Sequence, residues 1–227
     1  MENSVRFLFS GDSALVIEFG NEISVDINKK IRKMMDDIKK ENIDGIVELV
    51  PTYCSLLINY DVLKIDYNTL VEKLKTFLNN DLETAEGEEV TLVEIPTLYN
   101  DEFGPDLSYV AEHNKLSKEE VIKIHTGTDY LVYMLGFMPG FTYLGGMSEK
   151  IATPRLETPR LQIYPGSVGI AGKQTGMYPS MSPGGWRIIG RTPLKLYNPD
   201  SETPVYISSG DYIRYVSITE EEYNSLI

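Results

Sequence analysis

Cysteine, histidine and tryptophan are nearly absent from this chain, and each shortage closes off a class of chemistry. Of 227 residues only Cys54 is a cysteine, so there is neither a disulfide framework nor a thiolate metal cluster. Cys54 lies in an apolar run and reads as a buried structural thiol. The two histidines, His113 and His125, fall in no HExxH pattern, so no metal site is expected. Long apolar runs are missing too. None approaches the roughly 18 residues a membrane span needs, and residues 1–20 carry no signal-peptide pattern, so a cytoplasmic protein is expected. Positive charge is scarce: 21 Lys and Arg stand against 34 Asp and Glu, a formal net charge of −13. That balance argues against nucleic acid as a general partner, because phosphate binding needs a strongly cationic face. What is present, 42% hydrophobic and 24% charged residues, suits a folded globular chain with one large core or two modest ones.

Residues 1–86 read as an α+β domain with the order ββαββα. Short apolar runs at 5–9 and 14–19 flank Ser10-Gly11-Asp12-Ser13, a hairpin signal. Ile23, Ile27, Ile31, Met34, Met35 and Ile38 then recur at three- to four-residue steps, an amphipathic helix with Ser24 as its N-cap. Strands are expected at 46–50 and 55–58, and a second helix over 67–78 is capped by Asp66 and buries Leu70, Val71, Leu74 and Phe77. The repeated unit suggests a small sheet with two helices on one face. The acidic stretch 79–89 is the expected linker.

Residues 87–227 form the second expected domain. It opens with a strand at 90–95 and two short helices at 106–114 and 117–125, the latter started by a Ser117/Glu120 capping box. This helix pair has no basic recognition face, which argues against DNA binding. Beyond residue 130, short β-prone runs at 130–135, 162–163, 167–171, 186–189, 194–197, 205–207 and 212–216 are separated by glycine and proline. Nine of the 12 prolines follow residue 138, and this punctuation indicates a β-barrel or sandwich.

The candidate chemistry gathers in the same region. Eleven of the 18 glycines lie between Gly136 and Gly190, and residues 150–195 hold seven basic side chains against one acid, Glu157, an island of +6. Glycine permits close approach of backbone, and arginine and aromatic residues are common recognition groups. No nucleophile elbow, Walker loop or helix-opening GxGxxG is present. GSVGIAG (166–172) lacks the GK[ST] ending and reads as a glycine-relieved barrel corner. TPRLETPR (153–160) sets Arg155 and Arg160 on proline-stiffened backbone, suited to a carboxylate or phosphate, to loop carbonyls or to a partner protein. Gln174 and Thr175 read as polar groups in a glycine-rich turn. Trp186, beside Gly184 and Gly185, is either a stacking floor or a core side chain. His125 is the candidate general base of this half, with a structural role as its alternative.

HTGTDYLVYMLGFMPGFTYLGG (125–146), the two Pro-Arg pairs, GSVGIAGKQTGMYP (166–179) and SPGGWRIIGRTP (182–193) follow one another in an order and spacing that resemble the family of the 5-oxoprolinase B subunit, also called the KipI or allophanate hydrolase subunit 1 family. With the N-terminal unit, the resemblance covers nearly the whole chain. It implies a cyclophilin-like barrel over 87–227, companion 5-oxoprolinase subunits A and C, and ATP-dependent opening of 5-oxo-L-proline to L-glutamate by the complex alone. Which of the three holds ATP is left open. On that reading Arg155, Arg160 or Arg191 suits the substrate carboxylate, while Tyr143, Gln174 and Trp186, with Thr175 beside them, suit its ring. Two other roles come with the family. One is inhibition of a sensor histidine kinase through the acidic surface and the helix at 23–38. The other is membership of a related urea- or allophanate-type amide-processing enzyme.

Overall fold

Two apolar spacings, one of period two and one near 3.6, build the first part of the chain. The structure, a computed structural model, describes residues 5–78 and 91–227, and the chain divides into units of residues 1–89 and 90–227. The expected linker at 79–89 lies outside the described residues.

In the first unit the order is β1 (Arg6–Phe9), β2 (Ala14–Glu18), α1 (Val25–Glu41), β3 (Ile46–Pro51), β4 (Ser55–Tyr60) and α2 (Tyr67–Leu78). The sheet is antiparallel with strand order β1-β2-β4-β3. Leu15 and Ile17 of β2 and Leu56 and Ile58 of β4 alternate onto one face, where they meet Ile31, Met34 and Ile38 of α1 and Leu70 and Leu74 of α2. Each such side chain contributes roughly 1.5–3 kcal/mol by leaving water. Ser24 takes the N-cap position of α1 but makes no side-chain cap bond, so the apolar stripe rather than the cap fixes that helix. Asp66 does cap α2, accepting from the Thr69 N–H at 3.1 Å and the Thr69 hydroxyl at 2.6 Å. Cys54 is half-buried against this core, and burial raises its thiol pKa, which suits a structural role.

The second unit runs β5 (Leu92–Thr97), α3 (Leu107–Asn114), α4 (Lys118–Thr126), β6 (Asp129–Leu135), β7 (Thr142–Gly145), a 3-10 turn (Glu149–Ile151), β8 (Arg160–Ile163), β9 (Ser167–Ala171), β10 (Gln174–Met177), β11 (Ser182–Gly184), β12 (Arg187–Arg191), β13 (Tyr212–Ser217) and α5 (Glu220–Ser225). Seven strands form one sheet in the order β12-β9-β10-β7-β6-β13-β5, parallel only between β13 and β5. Leu98, just past β5, exchanges two backbone bonds of 2.9 and 3.0 Å with Arg191 at the end of β12, so the sheet nearly closes into a barrel. Strands β8 and β11 make a separate ribbon. Ile95, Tyr130, Val132, Leu144, Ile170, Ile189 and Ile213 fill the interior, and Leu107, Val110 and Val121 of the two helices join them. The capping box of α4 is formed: Ser117 Oγ accepts from the Glu120 N–H and Glu120 Oε2 from the Ser117 N–H.

Two expectations change. Residues 194–197 and 205–207 are not strands but share only an isolated Tyr197–Val205 bridge, in a segment where Pro193, Pro199 and Pro204 remove backbone donors. Gln174 and Thr175 stand on strand β10 rather than in a turn, and glycine's low strand propensity concealed it.

Candidate functional site

The β9–β10 hairpin presents two faces, since successive strand residues point to opposite sides. Val168, Ile170 and Met177 join the barrel interior, whereas Ala171 joins a second cluster with Phe141, Tyr178, Trp186 and Ile188. Gln174 and Thr175 are neighbours on β10 and therefore cannot serve one pocket.

Thr175 faces inward and is fully buried with His125. His125 Nε2 lies 2.8 Å from Thr175 Oγ1, and Nδ1 lies 2.8 Å from the Tyr99 hydroxyl. Thr175 donates its single proton to the Gly169 carbonyl at 3.0 Å. It must therefore accept from Nε2–H, which leaves Nδ1 to accept from Tyr99. The Tyr130 hydroxyl donates to the His125 carbonyl at 2.7 Å, and the Tyr215 ring sits 4.4 Å from the imidazole. Burial pulls the imidazole down to about 3, so it stays neutral at physiological pH. A general base must reach its substrate. The structure corrects the catalytic expectation for His125, placing it and Thr175 in the core, where they tie α4 to β10.

On the outer face an open pocket of about 270 Å³ is lined by Phe137, Phe141, Tyr143, Arg155, Tyr178 and Trp186, with two prolines and two glycines completing it. Phe141 is its hub, edge-to-face with Trp186 at 5.4 Å, Tyr178 at 5.2 Å and Phe137 at 5.6 Å. Trp186 is only 6% exposed, so it is both a core side chain and a pocket wall. Two glycines allow this packing. A Cβ at Gly176 would come within 2.7 Å of the Thr142 carbonyl, and one at Gly184 within 2.6 Å of the Tyr178 hydroxyl. Phe137 takes a φ of 65°, with the Met138 N–H donating to the Gly136 carbonyl at 2.7 Å, a γ-turn that leaves its ring 64% exposed at the rim. Burial pushes the Tyr178 hydroxyl up to about 12, partly offset by a Trp186 backbone hydrogen bond and by Arg155. It remains a proton donor at neutral pH.

The three candidate arginines separate. Arg155 is exposed, its guanidinium carbon 5.9 Å from the centre of the Trp186 ring, and it enters no ion pair among the described residues. Arg160 turns away to Asp106, with contacts of 2.8 and 2.9 Å to both carboxylate oxygens. Arg187 approaches the same carboxylate at 3.7 Å while stacking 3.7 Å over Tyr109. Arg191 holds the barrel seam, stacked 4.4 Å from Phe103 and 5.2 Å from Tyr164. Gln174 lies on the outer face of the hairpin but does not line the pocket. Asp106 was missed by sequence reasoning. It occupies the N-cap of α3 yet makes no cap bond, and instead accepts from the Ile188 N–H at 2.7 Å and from Arg160, with Arg187 beside it as an ion-pair partner. The signal was the excess of island arginines, which called for an acid elsewhere in the chain.

Among the described residues, no three His, Cys, Asp or Glu side chains converge as a metal site. A single exposed arginine and no carboxylate for a bound cation do not fit a nucleoside triphosphate, so no ATP step is placed in this pocket. The GSVGIAG segment is β9 and its turn into β10, with no helix after it to receive phosphate.

The second unit is thus a nearly closed β-barrel module with an aromatic pocket and one arginine on its outer face. The family described as the carboxyltransferase domain, subdomain C and D, matches residues 5–207, and the chain belongs to it. It is 45% identical over 224 residues to the 5-oxoprolinase B subunit of Bacillus subtilis (strain 168), covering 95% of this chain and 93% of that one. It is 36% identical over 214 residues to the 5-oxoprolinase B subunit of Escherichia coli O157:H7, covering 93% and 95%. The crystal structure of TTHA0988 superposes with a TM-score of 0.80 and 31% identity over 95% of this chain, which spans 40% of that longer one. The resemblance carried by the glycine-rich motifs holds. Among the described residues no helix is long and apolar enough to cross a membrane.

Proposed function

We propose that this chain is the B component of an ATP-dependent 5-oxoprolinase, opening 5-oxo-L-proline to L-glutamate together with subunits A and C. The observation that carries this reading is the 45% identity to a protein of that name across nearly the full length of both chains. The lactam is a stable amide, and coupling to ATP would activate its carbonyl carbon toward attack by water. The pocket contributes binding: Arg155 takes the carboxylate as a guanidinium fork, Trp186, Phe141 and Tyr143 flank the ring, and the protonated Tyr178 hydroxyl supplies a donor. Its lining includes no general base, which fits a chain that works only within an assembly. We further read the barrel as cyclophilin-like, the two units as folding domains of residues 1–86 and 87–227, and the setting as cytoplasmic.

The test is reconstitution. Mixed with subunits A and C, the chain should support ATP-dependent glutamate release from 5-oxoproline, and omitting it should abolish the release. No turnover from a demonstrably assembled complex would sink the reading. It would turn attention to kinase inhibition or to a urea-type amide substrate.

A further inference from the structure

The charges around the pocket are one-sided, and that has a consequence for what can enter it. Arg155 is the only charged side chain in its lining, which has neither Asp nor Glu. Asp106 is 5% exposed and already committed to Arg160, Arg187 and the Ile188 N–H, while Glu157 is exposed and outside the lining. Neighbouring carbonyls are occupied too: Gly185 accepts from the Leu156 N–H at 2.8 Å, and Trp186 from Arg160 at 3.5 Å. The rings offer a cation little in compensation. Arg155 already faces Trp186, and Phe141 uses its perpendicular contacts on its aromatic neighbours. A primary or secondary ammonium entering here loses hydration, meets the guanidinium's like charge and finds no counter-ion.

Resting on the proposed substrate reading, we infer that this pocket selects carboxylates whose ring nitrogen is uncharged and rejects zwitterionic amino acids. L-glutamate, the ring-opened product, is among those rejected. The lactam of 5-oxoproline places a neutral N–H and a carbonyl where proline carries an ammonium. Hydrolysis of the C–N bond frees the nitrogen, which takes a proton, and the lactam carbonyl becomes a second carboxylate. Ring opening thereby converts a ligand the pocket accepts into one it refuses, so product does not compete for the site.

Trp186, the chain's sole tryptophan, lines the pocket and reports on it directly. The full chain is titrated at pH 7.5 with 5-oxo-L-proline, cyclopentanecarboxylate, L-proline and L-glutamate while Trp186 fluorescence is followed. 5-Oxo-L-proline should bind most tightly, cyclopentanecarboxylate a few-fold more weakly because it offers the Tyr178 hydroxyl no ring acceptor, and the last two at least about tenfold more weakly than 5-oxoproline, the scale of one uncompensated ionic contact. Replacing a lining proline with an acid, Pro159→Glu, supplies the missing counter-ion. It should raise affinity for L-proline while lowering that for 5-oxoproline, a swap that damage to the fold cannot mimic. Proline or glutamate binding within twofold of 5-oxoproline would overturn the selectivity and leave the pocket as the substrate site. No response to any of the four, with an Arg155→Ala complex retaining wild-type KM, would remove the pocket from the substrate reading altogether and the selectivity with it.

Discussion

The two faces of the β9–β10 hairpin hold similar side chains, aromatic rings around one basic group, and use them in opposite ways. Inside, Tyr99, Tyr130 and Tyr215 surround His125, whose two ring nitrogens are both satisfied and which has no access to solvent. Outside, Phe137, Phe141, Tyr143, Tyr178 and Trp186 line a pocket together with Arg155, which is exposed and enters no ion pair among the described residues. Residue types alone do not separate the two. What separates them is whether the basic group's partners are already built into the protein: a satisfied group holds the fold, and an exposed one without an ion pair is left able to meet a ligand.

The inner face should show the larger response, and to pH. His125 has a folded pKa of about 3 against 6.5 for the free side chain, because burial disfavours its charged form. Below pH 6.5 the unfolded chain takes up a proton that the native core refuses. Its contribution to stability is therefore full above pH 6.5 and is lost as pH falls toward 3, by about 1.4 kcal/mol per pH unit along the steep part. His125→Gln keeps a donor and an acceptor without titrating there, so urea unfolding between pH 7.5 and 5 should give it the flatter profile. Parallel profiles would mean that the imidazole is not held neutral in the core.

Asp106 joins fold and pocket, so its replacement should disturb both. Asp106→Ala leaves Arg160 and the Ile188 N–H without their acceptor, a loss of about 3 kcal/mol. Arg187, whose Nε donates to the Pro154 carbonyl at 3.3 Å, is freed at the same time, so the loop carrying Arg155 loosens. Thermal unfolding and Trp186 titration should both register the change, and Asp106→Asn less so, since its amide oxygen still accepts from Ile188. Weakened stability with untouched ligand affinity would confine Asp106 to the fold.

Much of this was legible in the sequence where the signal is local. The Ile27, Ile31, Met34 and Ile38 stripe and the Ser117/Glu120 box mark α1 and α4 because helix periodicity and caps are short-range. Arg155 and Trp186 were singled out separately, in two different motifs, and only the fold shows that they lie together. Two things were out of reach. Strands β10 and β11 are only four and three residues long and each contains a glycine, which is too little to show alternation, so the opposite facing of Gln174 and Thr175 stayed hidden. The Asp106–Arg160 pair spans 54 residues, and no local pattern chooses among three arginines when one of them is to be neutralised.

Arg155 itself gives the smallest structural effect and the clearest functional one. Being exposed, Arg155→Ala should leave stability within about 0.5 kcal/mol, yet weaken 5-oxoproline binding by about 10- to 100-fold through loss of a charge-assisted contact. Arg155→Lys is the finer probe. Lysine keeps the charge but not the planar fork or the weak hydration that lets a guanidinium lie near an indole face. If Arg155 acts only as a positive charge, lysine should restore nearly full affinity. If it grips a carboxylate with two parallel donors while resting on Trp186, lysine should recover only part of the loss and remain about fivefold weaker than arginine. The geometry favours the second outcome, since a charge needed only for attraction has no reason to sit over the one tryptophan in the chain.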